Sequence, residues 1–269
     1  MSGLTFRLNA APEERLDLSK LTPSRLGAMP GNDIPRIPIG TANPKLTLGD
    51  MFKVSGTAGD RVTIEASSGR LDFVGAELDK GTVVVEGDVG ACAGRGMKGG
   101  RLEIKGDTGP WLAAALGGGL VSVKGSAGAF VGGQRAGDRF GMTGGIIVIE
   151  GHAGDRVGER MRRGTIIVRG RCGGYAGSRM IGGTIWTEQG FGVDPGVLLR
   201  RGTLIGPSVE RLLPTFTDAG KHDLVILRIL SRYLSASLGP LAPRPLGGQV
   251  RKFAGDLATI GKGELLIAA

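Results

Sequence analysis

Residues 164–182 read GTIIVRGRCGGYAGSRMIG, and residues 81–99 read GTVVVEGDVGACAGRGMKG. Both stretches open with a glycine and an apolar segment, then carry a glycine nine positions and a methionine sixteen positions after the first residue. Related stretches begin at seven glycines, which follow one another at nineteen positions except for one longer step: Gly81, Gly100, Gly119, Gly145, Gly164, Gly183 and Gly202. The chain therefore contains a tandem repeat, and the repeat decides the fold.

The start of each repeat has the pattern of a half-buried strand. The second and fourth residues after the opening glycine are apolar and are expected to face the core: Val83/Val85, Leu102/Ile104, Val121/Val123, Ile147/Ile149 and Ile166/Val168. The residue three positions before the next opening glycine predicts a second core ladder: Met97, Leu116, Met142, Met161, Met180 and Leu199. The fifth residue is charged and predicts an exposed ladder: Glu86, Lys105, Lys124, Glu150, Arg169 and Glu188.

Repeats of this length cannot bury an apolar face alone, but stacked repeats share one core. We therefore predict an all-β fold, a right-handed parallel β-helix of about 19-residue glycine-rich coils. The 51 glycines among 269 residues agree with this prediction, because glycine suits tight bends and destabilises helices. The predicted organisation is an extended N-terminal arm over residues 1–58, the β-helix over 59–208, and a C-terminal helix and tail over 209–269.

The flanking segments predict the two ends of the stack. The arm contains LDLSKLTPSRL (16–26), which predicts a short helix, and the arm is expected to cover an end of the stack or reach a partner. Residues 59–80 resemble an imperfect first coil, with Val62, Ile64, Leu71 and Phe73 facing inward. Residues 222–239, HDLVILRILSRYLSASLG, predict an amphipathic helix that caps the stack, because open sheet ends expose unpaired backbone.

The composition limits the classes of protein to which the chain can belong. The formal net charge is +9, which suits an acidic partner, although basic residues also serve solubility. Two cysteines without a CxxC spacing argue against a disulfide framework or a cysteine-based zinc site. With two Trp and two Tyr the chain has few aromatic side chains on which bases could stack, so no nucleic-acid partner is expected. Without an apolar run of membrane length or a signal-peptide core, we expect a cytoplasmic chain and no membrane partner.

Catalytic constellations do not emerge from the sequence. His152 and His222 lack metal-ligand spacing, and GRGMKG (94–99) matches GxGxxG only as part of the repeat. Asp88 and Asp107 share one repeat position, where a role in turns is the simpler interpretation. We therefore predict no catalytic residue and no metal site. A stand-alone β-helical carbohydrate-active enzyme stays open as an alternative.

Two surface features are candidate binding sites. Six arginines fall near one corner of the predicted stack, where they could hold a polycarboxylate or an acidic subunit, or form a solvated edge: Arg160, Arg162, Arg163, Arg179, Arg200 and Arg201. The repeat from Gly119 to Gly144 is seven residues longer than the others, and its excess lies within GGQRAGDRFG (132–141). Insertions in repeat proteins map to surface loops that often bind partners. The candidate contacts in this loop are Gln134, Arg135, Asp138 and Arg139, and a neutral loop is the alternative.

The glycine repeat resembles the C-terminal GXGXG domain of the large subunit of glutamate synthase. The chain as a whole resembles the family of the C subunit of formylmethanofuran dehydrogenase, and within it the bacterial counterpart from the formyltransferase/hydrolase complex. The segments that carry this resemblance are TFRLNAAPEERLDLSKLTPSRL (5–26), IPIGT (37–41), the coils through Gly202, and FAGDLATIGKGELL (253–266).

This resemblance implies a non-catalytic structural subunit of a cytoplasmic one-carbon complex. The bacterial complex would move a formyl group from formyl-tetrahydromethanopterin to a methanofuran-type carrier and release formate. The implied partners are an amidohydrolase-like hydrolase, a formyltransferase and a molybdopterin-enzyme-like subunit, with no cofactor bound by this chain alone. Carriers of this type bear glutamate-rich tails, which would suit the arginines. The C subunit of a tungsten or molybdenum formylmethanofuran dehydrogenase is the alternative that the resemblance leaves open.

Overall fold

The structure is a computed structural model that describes residues 3–65 and 67–269. Its helices are α1 (Pro23–Gly27), α2 (Leu48–Met51) and α3 (Val225–Leu238), and 3₁₀ turns span Gly31–Arg36 and Gly239–Leu241. The first strands are β1 (Gly3–Leu8), β2 (Leu16–Asp17), β3 (Phe52–Gly56), β4 (Arg61–Glu65), β5 (Leu71–Asp72), β6 (Thr82–Glu86), β7 (Arg101–Ile104), β8 (Leu120–Val123) and β9 (Ile146–Ile149). The remaining strands are β10 (Thr165–Val168), β11 (Thr184–Thr187), β12 (Phe191–Val193), β13 (Arg201–Gly206), β14 (Val209–Arg211), β15 (Thr217–His222), β16 (Val250–Gly255) and β17 (Lys262–Ala268).

One large sheet organises the described residues. It contains 13 strands in the order β15-β16-β17-β13-β11-β10-β9-β8-β7-β6-β4-β1-β3. From β4 to β13 the neighbouring strands are parallel, and each residue pairs with its counterpart in the next repeat. Ile147 pairs with Ile166, and Ile166 with Ile185. The longer repeat keeps this register, since Val121 pairs with Ile147 across the longer step.

A second parallel ladder follows the first strand of each repeat. It consists of single bridges between residues of successive repeats: Val89, Thr108, Ala127, Ala153, Cys172 and Phe191. The chain therefore returns to the same two places in every repeat, and both places are joined by hydrogen bonds to the repeats before and after.

The inner ladders predicted from the repeat are confirmed. All ten side chains at the second and fourth positions of β6 to β10 are at most 1% exposed. The six side chains of the methionine and leucine ladder are fully buried. The thioether is flexible and fills the irregular space between repeats, so methionine recurs there for packing.

The glycine that opens each repeat has a geometric reason. Gly119 has a φ of +86°, and a Cβ atom on it would lie 2.7 Å from the carbonyl oxygen of Gly100 in the preceding repeat. The other opening glycines also have positive φ. A left-handed backbone this close to the neighbouring repeat favours the residue without a side chain.

The N-terminal segment differs from the extended arm that we predicted. Strand β1 lies in the main sheet between β3 and β4, and Leu4 and Phe6 join the common core. The predicted short helix is present as α1. Of the first coil, Val62, Ile64 and Leu71 are buried as expected, whereas Phe73 is half-buried and has a φ of +57°. The expectation for Phe73 was wrong: its ring is partly exposed and lies beside the Arg135 guanidinium, 5.7 Å from the ring centroid.

Met1 and Ser2 of the predicted arm, and Ala66 of the predicted first coil, lie outside the described residues.

The C-terminal helix is present but does not cap the end of the stack as we expected. Strand β17 pairs in parallel with β13, and β16 and β15 continue the sheet as antiparallel strands. Helix α3 instead packs on the outer face of the sheet, where the third residues of the later repeats are apolar. The contacting residues are Leu227, Leu234 and Leu238 of the helix and Val148, Ile167, Trp186 and Ile205 of the sheet.

The C-terminal segment also covers part of the charged ladder. Glu86, Lys105 and Lys124 are exposed as predicted, whereas Glu150, Arg169 and Glu188 are half-buried. Arg169 donates hydrogen bonds to the carbonyl oxygens of Pro240 and Ala242. Glu188 accepts one from the backbone N–H of Arg244 at 2.8 Å. The prediction of a fully exposed ladder was wrong for the later repeats, because the C-terminal segment covers them.

No helix within residues 3–65 and 67–269 has both the length and the apolar character needed to cross a membrane.

Candidate functional site

We call the six arginines Arg160, Arg162, Arg163, Arg179, Arg200 and Arg201 the basic corner, and the structure brings them together. Equivalent residues of three successive repeats form columns, one of Arg160, Arg179 and Leu198 and another of Arg162, Ile181 and Arg200. Backbone hydrogen bonds hold these columns, for example from Arg160 to Ser178 and from Arg179 to Val197. All six arginines are exposed.

Two adjoining cavities lie between these columns. The first has a volume of about 440 Å³, and its lining includes Arg160, Arg179 and Arg200. The second, of about 480 Å³, is lined by Arg162, Arg163, Arg200, Arg201, Ile181 and Ile260. Ile181 and Arg200 line both cavities, which makes them neighbours. No carboxylate of the described residues lines either cavity, so this surface is positively charged throughout.

One of the six arginines already has an acidic partner. A guanidinium nitrogen of Arg179 lies 3.0 Å from Glu159, whose carboxylate is also 3.2 Å from Arg156. Glu159 is only 6% exposed, and two arginines compensate its burial. The other five arginines of the basic corner form no salt bridge with any described residue. They are available to an external anion.

The inserted loop, residues 132–141, contributes to the basic corner through its C-terminal end. Arg139 and Phe140 line the first cavity. The Phe140 ring has the Arg139 guanidinium 5.1 Å from its centroid and that of Arg162 at 4.9 Å. These cation–π contacts orient both arginines beside the cavity.

The other three candidate residues of the loop fasten it to the body of the protein. Asp138 forms a salt bridge with Arg95 at 3.1 Å. The backbone N–H of Gln134 donates a hydrogen bond to the Glu159 carbonyl oxygen at 3.2 Å, and its side chain donates one to the Asp138 carbonyl oxygen within the loop. The Arg135 guanidinium lies 5.7 Å from the ring centroids of both Phe73 and Trp111. The loop therefore places Arg139 in the wall of the first cavity, whereas Gln134, Arg135 and Asp138 line neither cavity of the basic corner.

Sequence reasoning missed the apolar part of this surface. Phe140, Ile181, Leu198, Thr259 and Ile260 line the cavities together with the arginines. Phe140 was detectable, since it is one of only eight phenylalanines and lies in the insertion. The contribution of Thr259 and Ile260 was not, because the turn after β16 reaches the corner only through the folding of the C-terminal strands.

The polar residues seven positions after the opening glycine have a structural role. The Asp88 carboxylate accepts a hydrogen bond from the backbone N–H of Asp107 at 2.8 Å, and Asp107 accepts one from Ser126 at 2.7 Å. His152 continues the ladder, because its Nδ1 accepts the N–H of Arg171 at 3.0 Å. Each side chain thus ties one repeat to the next.

Both cysteine side chains are buried. Burial raises the pKa of the Cys172 thiol to about 12 and also raises the pKa of Cys92. At neutral pH both thiols are protonated and inert. In the part of the chain that the structure describes, no three His, Cys, Asp or Glu side chains are grouped to hold a metal ion.

The fold and the site define a strand-rich repeat protein whose distinguishing surface is the basic corner with its two cavities. No established family profile matches the chain. It is 44% identical over 265 residues to the C subunit of the formyltransferase/hydrolase complex Fhc of Methylorubrum extorquens, and the alignment covers 98% of this chain and 99% of that protein. The chain therefore belongs to the family of the Fhc C subunit.

A solved structure agrees with this assignment. The crystal structure of the formyltransferase/hydrolase complex FhcABCD from M. extorquens, in complex with methylofuran, contains a chain that superimposes with a TM-score of 0.93. The two chains are 43% identical, and the match covers 98% of this chain and 99% of the other. The shared architecture extends over the flanking segments as well as the repeats.

Proposed function

We propose that the chain is the non-catalytic structural subunit of a cytoplasmic formyltransferase/hydrolase complex. The complex transfers formyl from formyl-tetrahydromethanopterin to a methanofuran-type carrier and releases formate. The observation that carries this proposal is the 44% identity to the Fhc C subunit over 98% of the chain. This similarity favours the hydrolase complex over the tungsten or molybdenum dehydrogenase.

The proposed fold is a right-handed parallel β-helix over residues 59–208, flanked by residues 1–58 and 209–269. Its support is the in-register parallel pairing from β4 to β13 together with the second ladder of bridges. A stack of this kind is rigid along its axis, because every repeat is bonded to two neighbours. A rigid rod with distinct faces suits a subunit that holds others in place.

The basic corner is the proposed binding surface of this scaffold. Its ligand is either the glutamate-rich tail of the carrier or an acidic surface of a neighbouring subunit: the amidohydrolase-like hydrolase, the formyltransferase or the molybdopterin-enzyme-like subunit. Both ligands present carboxylates, which the planar guanidinium binds in a bidentate manner. One exposed ion pair is worth only about 0.2–1 kcal/mol, so several arginines must act together.

Charge reversal in the assembled complex tests this surface. Arg162, Arg163, Arg200 and Arg201 are changed to Glu together, and the control changes the exposed lysines Lys45, Lys53, Lys105 and Lys124 to Glu. The two variants have the same net charge, so only position differs. Complex assembly and the KM for the carrier are then measured at two salt concentrations.

The outcomes separate the two ligands. Lost assembly in the arginine variant alone identifies a protein interface. Intact assembly with a raised, salt-sensitive KM identifies the carrier tail. An arginine variant that matches the lysine control in both measurements contradicts a binding role of the basic corner.

The inserted loop is proposed to extend the same surface toward a partner subunit. Shortening this repeat to the length of its neighbours removes Arg139 and Phe140 from the cavity wall while the strand register is kept. We expect a folded chain that assembles less well with its partners. Unchanged co-purification of the subunits would show that the loop is neutral.

A further inference from the structure

Helix α3 has apolar side chains on two faces, and the fold covers only one of them. Leu227, Leu234 and Leu238 are at most 9% exposed and face the sheet. On the opposite side Val225, Ile226, Ile229 and Tyr233 are 57%, 59%, 55% and 60% exposed. Their spacing of three, four and seven residues places them in one continuous stripe along the helix.

This stripe is unusual for the surface of the chain. Seven large apolar side chains are exposed among the described residues, and four of them lie on this one helix. Isolated apolar residues on a surface are ordinary, whereas a contiguous patch marks an interaction site. A helix that is apolar on both sides is normally buried on both sides.

The charges beside the stripe restrict what can cover it. The helix carries Arg228 and Arg232 and no acidic residue. Arg228 pairs with Asp223 at 2.5 Å, and Arg232 forms no salt bridge with any described residue. A second copy of the chain packed on this helix would add another Arg232 to the interface and would offer no carboxylate from its own α3 to pair with it. A different chain with carboxylates around an apolar centre would be complementary.

We propose that the outer face of α3 is the docking site for another subunit, one that presents an apolar surface rimmed by Asp or Glu. This inference rests on the proposed function, because it requires a complex of several different chains. The docking site and the basic corner consist of different residues: no residue of α3 lines either cavity of the basic corner, and none of the six arginines belongs to the apolar cluster that α3 forms with the sheet.

The test uses the complete complex, in which this chain is co-expressed with the three other subunits. The variant Ile229→Glu places a charge in the centre of the stripe. The control Ser235→Glu adds the same charge to an exposed position of the same helix, outside the stripe. Thermal unfolding of each purified chain shows that both variants fold.

We expect Ile229→Glu to reduce recovery of the assembled complex about tenfold or more, as for the loss of a central apolar contact. Ser235→Glu should assemble like the unmodified chain. Arg232→Glu should weaken assembly less, and its effect should shrink at high salt, because it opposes only the acidic rim.

Two results overturn the proposal. One is an Ile229→Glu variant that folds and assembles as well as the Ser235→Glu control. The other is an isolated chain that is a dimer and becomes monomeric on Ile229→Glu, which would identify a second copy as the occupant. If the unmodified chain fails to assemble with the other subunits at all, the proposed function fails rather than the docking site.

Discussion

The early repeats, residues 81–123, and the late repeats, residues 145–205, share one backbone and differ on their surfaces. Their inner positions are equally buried. The third residue after the opening glycine faces outward, and in the early repeats it is Val84, which is buried, and Glu103 and Ser122, which are half-buried. In the late repeats it is Ile167 and Trp186, which α3 covers. The difference shows that the inner ladder makes the stack, whereas the outer residues decide where the C-terminal segment docks.

The basic corner follows the same division. Arg160 and Arg179 occupy the position that Gly96 and Ala115 hold in the early repeats, and all four residues have a φ between +53° and +63°. A left-handed backbone costs an arginine about 1 kcal/mol or more relative to glycine. Ala115 bears the same backbone cost in an early repeat, so the arginines of the late repeats differ from it in charge and length and not in backbone conformation.

The largest expected loss of stability is at the outer face of the late repeats, which α3 covers. Trp186→Ala removes the largest fully buried side chain and leaves a cavity beneath α3, so it should cost about 3–5 kcal/mol of unfolding free energy. Ser122→Ala, at the equivalent position of an early repeat, should change it by no more than about 0.5 kcal/mol. Denaturant titration measures both. Similar losses would mean that the outer faces of the two halves are equally covered.

The inner ladder is common to the early and the late repeats, and its side chains should matter equally in both. Leu102→Ala and Ile166→Ala lie at the same inner position of an early and a late repeat, and both side chains are fully buried. Each should cost about 2–5 kcal/mol, because both leave a cavity in the common core. A large loss in only one half, measured in the same titration, would show that the two halves do not unfold as one core.

The opening glycines are common to both halves and should be less costly to change. Gly119→Ala should destabilise the chain by more than about 1 kcal/mol, because φ is +86° and the new Cβ would meet a neighbouring carbonyl. Gly220→Ala is the control, since its φ is +89° but no atom lies within 4 Å of its added Cβ. Equal melting temperatures for the two variants would attribute the requirement to φ alone.

The smallest effect concerns the two thiols, one in each half. Cys172 has its pKa raised to about 12 by burial, so iodoacetamide should label it at pH 8.5 only when the chain unfolds. Burial also raises the pKa of Cys92, but the nearby Arg135 opposes this shift, so Cys92 should label faster. Mass spectrometry of the protein and of Cys92→Ser distinguishes the two sites. Faster labelling of Cys172 would contradict the order of burial.

The repeat in the sequence was enough to predict most of the buried core residues. Because equivalent residues of successive repeats pair directly, the repeat period was enough to identify the ladders of Ile147, Ile166 and Met161 as buried. The same period brought Arg162 and Arg200 to one surface. These inferences needed only the spacing of residues and the distance between neighbouring strands.

Only the tertiary structure showed which segments contact each other when their residues are not related by the repeat. The sequence by itself did not show that α3 covers Trp186, that β1 enters the sheet beside β4, or that Glu159 neutralises Arg179. Each of these contacts joins surfaces whose fit depends on shape and burial across the whole chain. Periodicity specifies which side of a strand is apolar, but the partner that buries an outer face is selected by packing in three dimensions.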